Sequence, residues 1–399
     1  MGIRISDKCR GISPSATLRL NALVAEKRAQ GQDVISMAAG EPDMDTPEAI
    51  KAAAIRALEE GKTKYTATAG IPALRQAIAD ALNKHHGLAY APSEVMVSSG
   101  AKQALIGCLT AVLNPGDEVL LPSPCWLSYP ELIRMADGVP VLVETTVGTG
   151  YVPDTKSLQA KLTGKTRAVL INSPNNPTGA VYNRAELEEI AAFAKTHDLA
   201  IISDEIYDAF VYEGVCHVSV ASLSEDAKNR TVIVNGFSKS FAMTGWRLGY
   251  AAGPKGLIAA MDAYQSHAAG NPNSLAQYAG LAALEDSHMA QGIVAAFAAR
   301  RKRLLAGLEG IPGTRFFPPQ GAFYVLLDVS GLIGKSYQGQ DIADEMVFAE
   351  LLLEHQGVSV VPGGPFFAPG TCRLSYAVSE ARIDEAIRRL KAFVSQIAG

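Results

Sequence analysis

The chain has 399 residues, enough for two domains at the usual size of about 100–200 residues each. Apolar residues make up 48% and charged residues 19%, a balance that builds packed cores and excludes a mainly disordered chain. The formal charge of −4, from 36 basic and 40 acidic side chains, excludes the basic stripe of a nucleic-acid binder.

In chain order, the N-terminal stretch Met1-Gly-Ile-Arg-Ile-Ser-Asp-Lys8 has no apolar core of signal-peptide length. No run anywhere approaches the roughly 18 apolar residues of a membrane span, so no membrane partner is expected. Gly2 and Ser6 fit a myristoylation pattern, one short enough to match by chance. Residues 17–30 carry helical spacing and end at Gly31. A short strand is expected at 34–37, followed by the loop Ala39-Gly-Glu-Pro-Asp43. Thr46-Pro47 reads as a cap followed by a proline in the first helical position.

From about residue 94, apolar β-branched runs alternate with helical stretches. The runs are 95–97, 119–121, 139–143, 168–171, 199–202, 231–234 and 248–251. Runs this continuous suit strands buried on both faces, so the expected fold is α/β, with a mostly parallel seven-stranded sheet between helices. After about residue 290 the pattern changes. A long helix near 290–310 precedes strands at 314–317, 323–328, 358–361 and 372–376, a helix near 341–355 and a terminal helix. The expected division is a large domain at 46–290 and a smaller α+β domain from 1–45 and 291–399, bridged by the long helix. Arg300-Arg-Lys-Arg303 on that helix suits bridging better than anion binding. His85-His86 sits at a helix end and is expected to be solvated.

The five cysteines, Cys9, Cys108, Cys125, Cys216 and Cys372, are odd in number and form no Cys-x-x-Cys pair. That argues against a disulfide framework or a zinc site and for a reducing cytoplasm. No His-Glu-x-x-His is present, and no metal site is expected. Three Gly-Lys-Ser/Thr triplets, at Gly61, Gly164 and Gly334, lack the glycine five residues earlier that a P-loop needs; those positions hold Arg56, Gln159 and Val329. No Gly-x-Gly-x-x-Gly fingerprint occurs.

In open α/β sheets, ligands bind beyond the carboxyl ends of the strands. Four such ends carry chemistry. Ser98-Ser-Gly-Ala-Lys102 opens a helix, and helix N-termini favour anions such as phosphate, although an ordinary capped helix looks the same. Asn172-Ser-Pro-Asn-Asn-Pro-Thr-Gly179 brings amides. Ser203-Asp204-Glu-Ile-Tyr207 brings a carboxylate that a cationic ring nitrogen would suit; the plainer reading is a cap acid and a rim aromatic. Asn235-Gly-Phe-Ser-Lys239 brings a lysine, either plain surface or a Schiff-base amine of lowered pKa.

The segment Asn235-Gly-Phe-Ser-Lys-Ser-Phe-Ala-Met-Thr-Gly-Trp-Arg-Leu-Gly249 resembles the pyridoxal-phosphate attachment signature of class I and II aminotransferases, matching at Lys239, Gly245, Arg247 and Gly249. Ala39–Asp43, Tyr65-Thr-Ala-Thr-Ala-Gly-Ile-Pro72, Asn172–Gly179, Ser203–Tyr207 and Arg373-Leu-Ser-Tyr376 are further family blocks in the expected order. The whole is most similar to the bacterial aspartate aminotransferase subgroup. The resemblance implies the fold type I architecture and a homodimer with shared active sites. It implies pyridoxal 5'-phosphate bound by Lys239 as a Schiff base, with Asp204 on the pyridine nitrogen. Asn176 and Tyr207 would bond the phenolic oxygen, and Trp126 would stack on the ring and border the substrate. Gly100, Ala101, Lys102, Ser238 and Arg247 would surround the phosphate, joined by Tyr65 from the neighbouring subunit. Arg373 would clamp the substrate carboxylate, helped by Asn176 and the backbone of Gly40.

The expected reaction moves an amino group from an L-amino acid, aspartate or a related or aromatic one, to a 2-oxo acid by a ping-pong route. A lyase of the same fold is the alternative. A non-catalytic cofactor-binding regulator is disfavoured by a short N-terminus of low basicity. One departure touches the substrate. The subgroup often reads Lys-Pro-Ser near the N-terminus, where this chain has Ser13-Pro14-Ser15. Ser13 cannot neutralise a distal carboxylate, so either another basic residue substitutes or Ser15 and a helix end suffice.

Overall fold

The computed structural model describes residues 3–13, 16–286 and 288–398. The expectations on Gly2 and Ser15 therefore lie outside the described residues. The central sheet comprises β1 (Val95–Ser98), β2 (Glu118–Ser123), β3 (Val139–Glu144), β4 (Thr166–Asn172), β5 (Ala200–Asp204), β6 (Thr231–Gly236) and β7 (Gly249–Ala252). Their order across the sheet is β1-β7-β6-β5-β4-β2-β3. Only β7 runs against its neighbours; the pairings β6–β5, β5–β4, β4–β2 and β2–β3 are parallel.

The continuous apolar runs are explained by cover on both faces. Val119, Leu121, Ala168, Leu170, Ile202 and Val232 belong to one apolar cluster, while Leu120, Val169, Ile171 and Ile201 belong to the cluster on the opposite side. Successive residues alternate between faces, as strand geometry requires, and here both faces are buried. Helix α1 (Ala101–Val112) lies on the first face and follows directly from β1.

After β7 and two further helices, Lys255–Ala268 and Ser274–Glu285, comes α2 (His288–Leu308), and the chain then builds a second, antiparallel sheet from β8 (Arg315–Phe316), β9 (Tyr324–Asp328), β10 (Val361–Pro362) and β11 (Thr371–Ser375), in the order β10-β11-β9-β8. The basic run on α2 meets carboxylates. Arg300 forks onto Asp43 at 2.6 and 3.1 Å, and Arg303 onto Asp384 at 2.6 Å through both nitrogens.

Three local expectations are corrected. The apolar run 358–361 is not one strand: Val358–Ser359 pairs in parallel with Ile35–Ser36, and Val361–Pro362 turns to pair with β11. Thr46 is not a helix cap; Pro47 holds the cap position. The Thr46 hydroxyl donates to the Ala242 carbonyl (2.7 Å) and accepts from the Trp246 indole N–H (2.9 Å). His86 is not solvated. Its ring is 13% exposed, lies 3.5 Å from the Asp208 carboxylate and stands edge-on to His217. The helix Pro72–His86 delivers its last residue to the loop after β5, a tertiary contact that local periodicity does not report.

Candidate active site

A cavity of about 360 Å³ lies where the carboxyl ends of β1, β4, β5 and β6 meet β11 and the loop at Gly40. Gly40, Ala101, Lys102, Trp126, Asn176, Asp204, Tyr207, Ser238, Lys239, Arg247 and Arg373 all line it. Residues up to 333 positions apart in sequence thus share one wall, which is what the strand-end reading expects of such a sheet.

Asp204 ends β5 and is 3% exposed. Its Oδ2 accepts the Tyr129 hydroxyl at 2.8 Å, and its Oδ1 accepts the Ile206 N–H at 3.1 Å. Burial raises its pKa to about 6, with these two bonds holding it down and the neighbouring Glu205 charge pushing it up. Lys239 follows β6 and donates from Nζ to the Gly40 carbonyl at 2.7 Å. Burial lowers its pKa to about 8; the cations Arg247 and Arg373 push the same way, while Glu41 and Asp204 resist. About a tenth of such a lysine is the free amine at pH 7, against less than a thousandth for an ordinary one.

Arg373, in β11, is 2% exposed. Its Nη1 donates to Asn176 Oδ1 and its Nη2 to the Ala38 carbonyl, both at 2.9 Å. Its guanidinium carbon lies 4.4 Å from the Tyr324 ring centre and 4.8 Å from that of Phe366, and its Nε has no partner. Aromatic faces and neutral acceptors hold the charge in place without cancelling it. Tyr207 is buried and shares a 2.9 Å hydrogen bond with Tyr324; burial raises its pKa well above the ordinary range, so it stays protonated at neutral pH.

The start of α1 has the geometry that suits an anion. Its first N–H groups have no acceptor within the helix. Gly100 has φ +84°, and a Cβ there would lie 2.5 Å from the Arg247 guanidinium; a Cβ on Gly249 would lie 2.4 Å from the Ala101 nitrogen. Only glycine fits either position. Arg247 itself has φ +54°, an uncommon conformation for a side-chain-bearing residue. Lys102 sits with Nζ 4.9 Å from the Trp126 ring, and burial, then Arg247, lowers its pKa.

Three predicted residues are not part of this lining: Gly100, buried at the start of α1 beside Ala101, and two exposed ones. Tyr65 is 97% exposed, and Ser13 is exposed on the N-terminal segment. Three functional contacts escaped the sequence reading. Tyr129 bonds Asp204, Tyr324 bonds Tyr207, and the Asn172 side chain donates to the Asp204 carbonyl (2.9 Å) while accepting the Asn176 N–H (2.9 Å). Tyr129 stands three residues after Trp126, a helical spacing that would have placed both on one side; Tyr324 gave no signal beyond its strand.

Among the described residues, no group of three or more His, Cys, Asp or Glu is placed to hold a metal ion, and no helix is long and apolar enough to cross a membrane.

The sequence model of the family described as aminotransferase class I and II matches residues 32–390. The chain is 45% identical over 393 residues to the aspartate aminotransferase of Bacillus sp. (strain YM-2), covering 98% of this chain and 99% of that protein. It is 46% identical over 389 residues to the aspartate/prephenate aminotransferase of Thermus thermophilus, covering 96% and 97%. Among solved structures, the aspartate aminotransferase from Thermus thermophilus with maleate superimposes with a TM-score of 0.92 at 45% identity, over 98% of this chain and 100% of that one. The aspartate aminotransferase from Rhizobium meliloti gives 0.96 at 39% identity, over 100% of both.

Proposed function

The chain belongs to the class I and II aminotransferases, and from that premise we propose that its amino donor is L-aspartate and its acceptor a 2-oxo acid such as 2-oxoglutarate. It is an aminotransferase, and the relatives named above, aminotransferases themselves, disfavour the lyase alternative. The observation that carries the dicarboxylic substrate is the charge of the cavity. Lys102, Lys239, Arg247 and Arg373 line it against the single carboxylate of Asp204. That excess suits a phosphate and two substrate carboxylates.

Family membership implies pyridoxal 5'-phosphate, and the residues fit it. Asp204 is a buried acid with no basic side chain within 4.0 Å among the described residues, costly unless a cation arrives, and a protonated ring nitrogen is one. The cradle of Gly100, Ala101, Lys102, Ser238 and Arg247 would hold the phosphate. Lys239 Nζ would hold the cofactor covalently, Asn176 and Tyr207 would bond the phenolic oxygen, and Trp126 would cover the ring. When bound, the cofactor supplies an electron sink for the charge left at the substrate Cα.

The protein's own groups do the rest. Arg373 grips the α-carboxylate as a fork, with Asn176 beside it. Asp204, ionised above about pH 6, would hold a proton on the cofactor's ring nitrogen. Lys239 Nζ takes the Cα proton and returns it, a positioned transfer worth about 10²–10⁴-fold. Water supplies the oxygen of the departing 2-oxo acid, and the amino group passes to the second 2-oxo acid in a ping-pong cycle. The exposed Tyr65 supports a homodimer in which Tyr65 of the partner subunit reaches this phosphate site. The five free cysteines accord with a reducing cytoplasm.

The test is to add L-aspartate, without any 2-oxo acid, to the purified cofactor-loaded protein. The expected result is loss of the cofactor's visible band with one equivalent of oxaloacetate per site. A band that ignores aspartate but responds to aromatic or neutral amino acids would overturn the donor. No visible band in cofactor-supplied protein would overturn the role of Lys239.

A further inference from the structure

Behind the turn that carries Asp204 and Tyr207 lies a second cavity, of about 630 Å³, within the range of about 300–1,000 Å³ typical of small-molecule sites. Asp204 and Tyr207 line the first cavity, whereas Asp208, one residue further, lines the second. The walls are apolar and partly aromatic, with Leu82, Phe237, Phe241 and Val294 among them. The polar end holds Asp208, Asn235, His86 and His217. Among the described residues, no lysine or arginine lines this cavity.

That end is negative. The Asp208 carboxylate accepts the Asn235 amide (2.9 Å) and the Ala209 N–H (2.7 Å). His86 Nε2 stands 3.5 Å away, beyond the usual hydrogen-bond length of about 2.7–3.2 Å. A carboxylate offers about four lone-pair sites, so acceptor capacity remains. Just behind, Glu205 is 1% exposed and accepts Ser203 (2.8 Å), Ser219 (2.8 Å) and His217 Nε2 (3.1 Å). Burial lowers the His86 pKa, and the Asp208 and Glu205 carboxylates more than reverse it. In turn, burial pushes the Asp208 pKa up, and His86, then His217, more than offset that and hold the carboxyl below the usual range, so it is ionised.

We propose that this second cavity binds an organic cation, its ammonium head against Asp208 and its apolar body against Phe237, Phe241 and Val294. A single carboxylate with aromatic neighbours suits a soft, bulky cation, through ion pairing and cation–π contact. A bare metal ion would need a tighter set of ligands, and among the described residues none is assembled. The two cavities have opposite charge, so dicarboxylates and phosphate belong to the first and cations to the second. An occupant of the second touches the same turn that positions Asp204, because the Asp208 N–H bonds the Glu205 carbonyl (2.9 Å).

The test uses the cofactor-loaded enzyme and 3-phenylpropyltrimethylammonium, a quaternary ion that cannot condense with the cofactor aldehyde, with binding followed by calorimetry. The expected dissociation constant is on the order of 0.1 mM, weakened about tenfold or more by Asp208→Asn. Ala290→Trp, which narrows the cavity without touching its charge, should weaken it as much and stands in if the loss of Asp208 disturbs folding. 4-Phenylbutyrate should not bind this cavity, and maleate in the first cavity should leave the ammonium's affinity unchanged. Failure of the ammonium to bind the wild type, an affinity unmoved by both variants, equal binding of phenylbutyrate at the same site, or competition by maleate would each overturn the proposal.

Discussion

Two regions of this molecule collect arginine and lysine, and they treat the charge differently. Along α2 and the terminal helix, Arg300 meets Asp43, Arg303 meets Asp384, and Arg382 meets Asp33 at 2.8 Å. In the first cavity, Lys102, Lys239, Arg247 and Arg373 have no carboxylate within 4.0 Å among the described residues. Arg300 and Arg373 are both buried, at 8% and 2% exposure, so depth does not separate them. What separates them is the counter-ion. A cation that holds the fold brings its anion in the chain. Arg373 is held by a carbonyl, an amide and two ring faces, and on the proposed function its anion arrives from solution.

This contrast can be broken by measurement. Lys239→Ala should have the largest effect: loss of the covalently bound cofactor's visible band and a fall in kcat of about 10²–10⁴-fold or more, read by spectroscopy and steady-state assay. In the wild type, the fraction of free Lys239 amine, and with it the rate of proton removal, should rise with pH up to about 8 and then level. Arg373→Leu comes next. It should cost about 3 kcal/mol in kcat/KM for aspartate, on the order of 10²-fold, with the melting temperature unchanged or higher, since no carboxylate is left behind. A drop in stability alone would place Arg373 with the structural arginines.

Tyr129→Phe removes a hydroxyl donor from Asp204, worth about 1.5 kcal/mol, roughly tenfold near neutral pH. The acidic limb of kcat/KM should move upward, because the lost bond favoured the ionised acid; a limb that stays in place would detach Tyr129 from the chemistry. Arg300→Leu is the mirror of Arg373→Leu. It should leave kcat/KM near wild type yet lower stability by about 1–2 kcal/mol, a value discounted because Asp43 is 32% exposed. Thermal unfolding checks it. The smallest change expected is a few-fold rise in kcat/KM for dicarboxylic substrates in Ser13→Lys; no rise would mean that this position does not read the distal carboxylate.

The sequence carried the sheet well because six of its seven strands are mostly buried on both faces, the edge strand β3 being only partly covered. Seven apolar runs became seven strands, and the segments after four of them became the walls of the cavity. Lys239, Asp204 and Asn176 were legible because motif and strand end coincide. Arg373 was legible only through the family block, since its strand belongs to the second sheet. Contacts made by side chains from remote elements left no such trace. Tyr324 reaches Tyr207 across 117 positions, and His86 meets Asp208 only after its helix docks. The run 358–361 misled for a related reason: one apolar stretch serves two sheets, and periodicity does not report a change of partner.

The single reversed strand has a consequence of its own. Gly236 at the end of β6 is paired with Gly249 at the start of β7, so the segment Phe237–Leu248 leaves and re-enters the sheet at the same rung. Lys239 and Arg247 thus ride on a loop closed at its base. The entropy of bringing its ends together is lost once, during folding, and not again at each turnover. The catalytic amine proposed at Lys239, so tethered, would approach its target with its translational freedom already removed, the condition under which effective molarity becomes large.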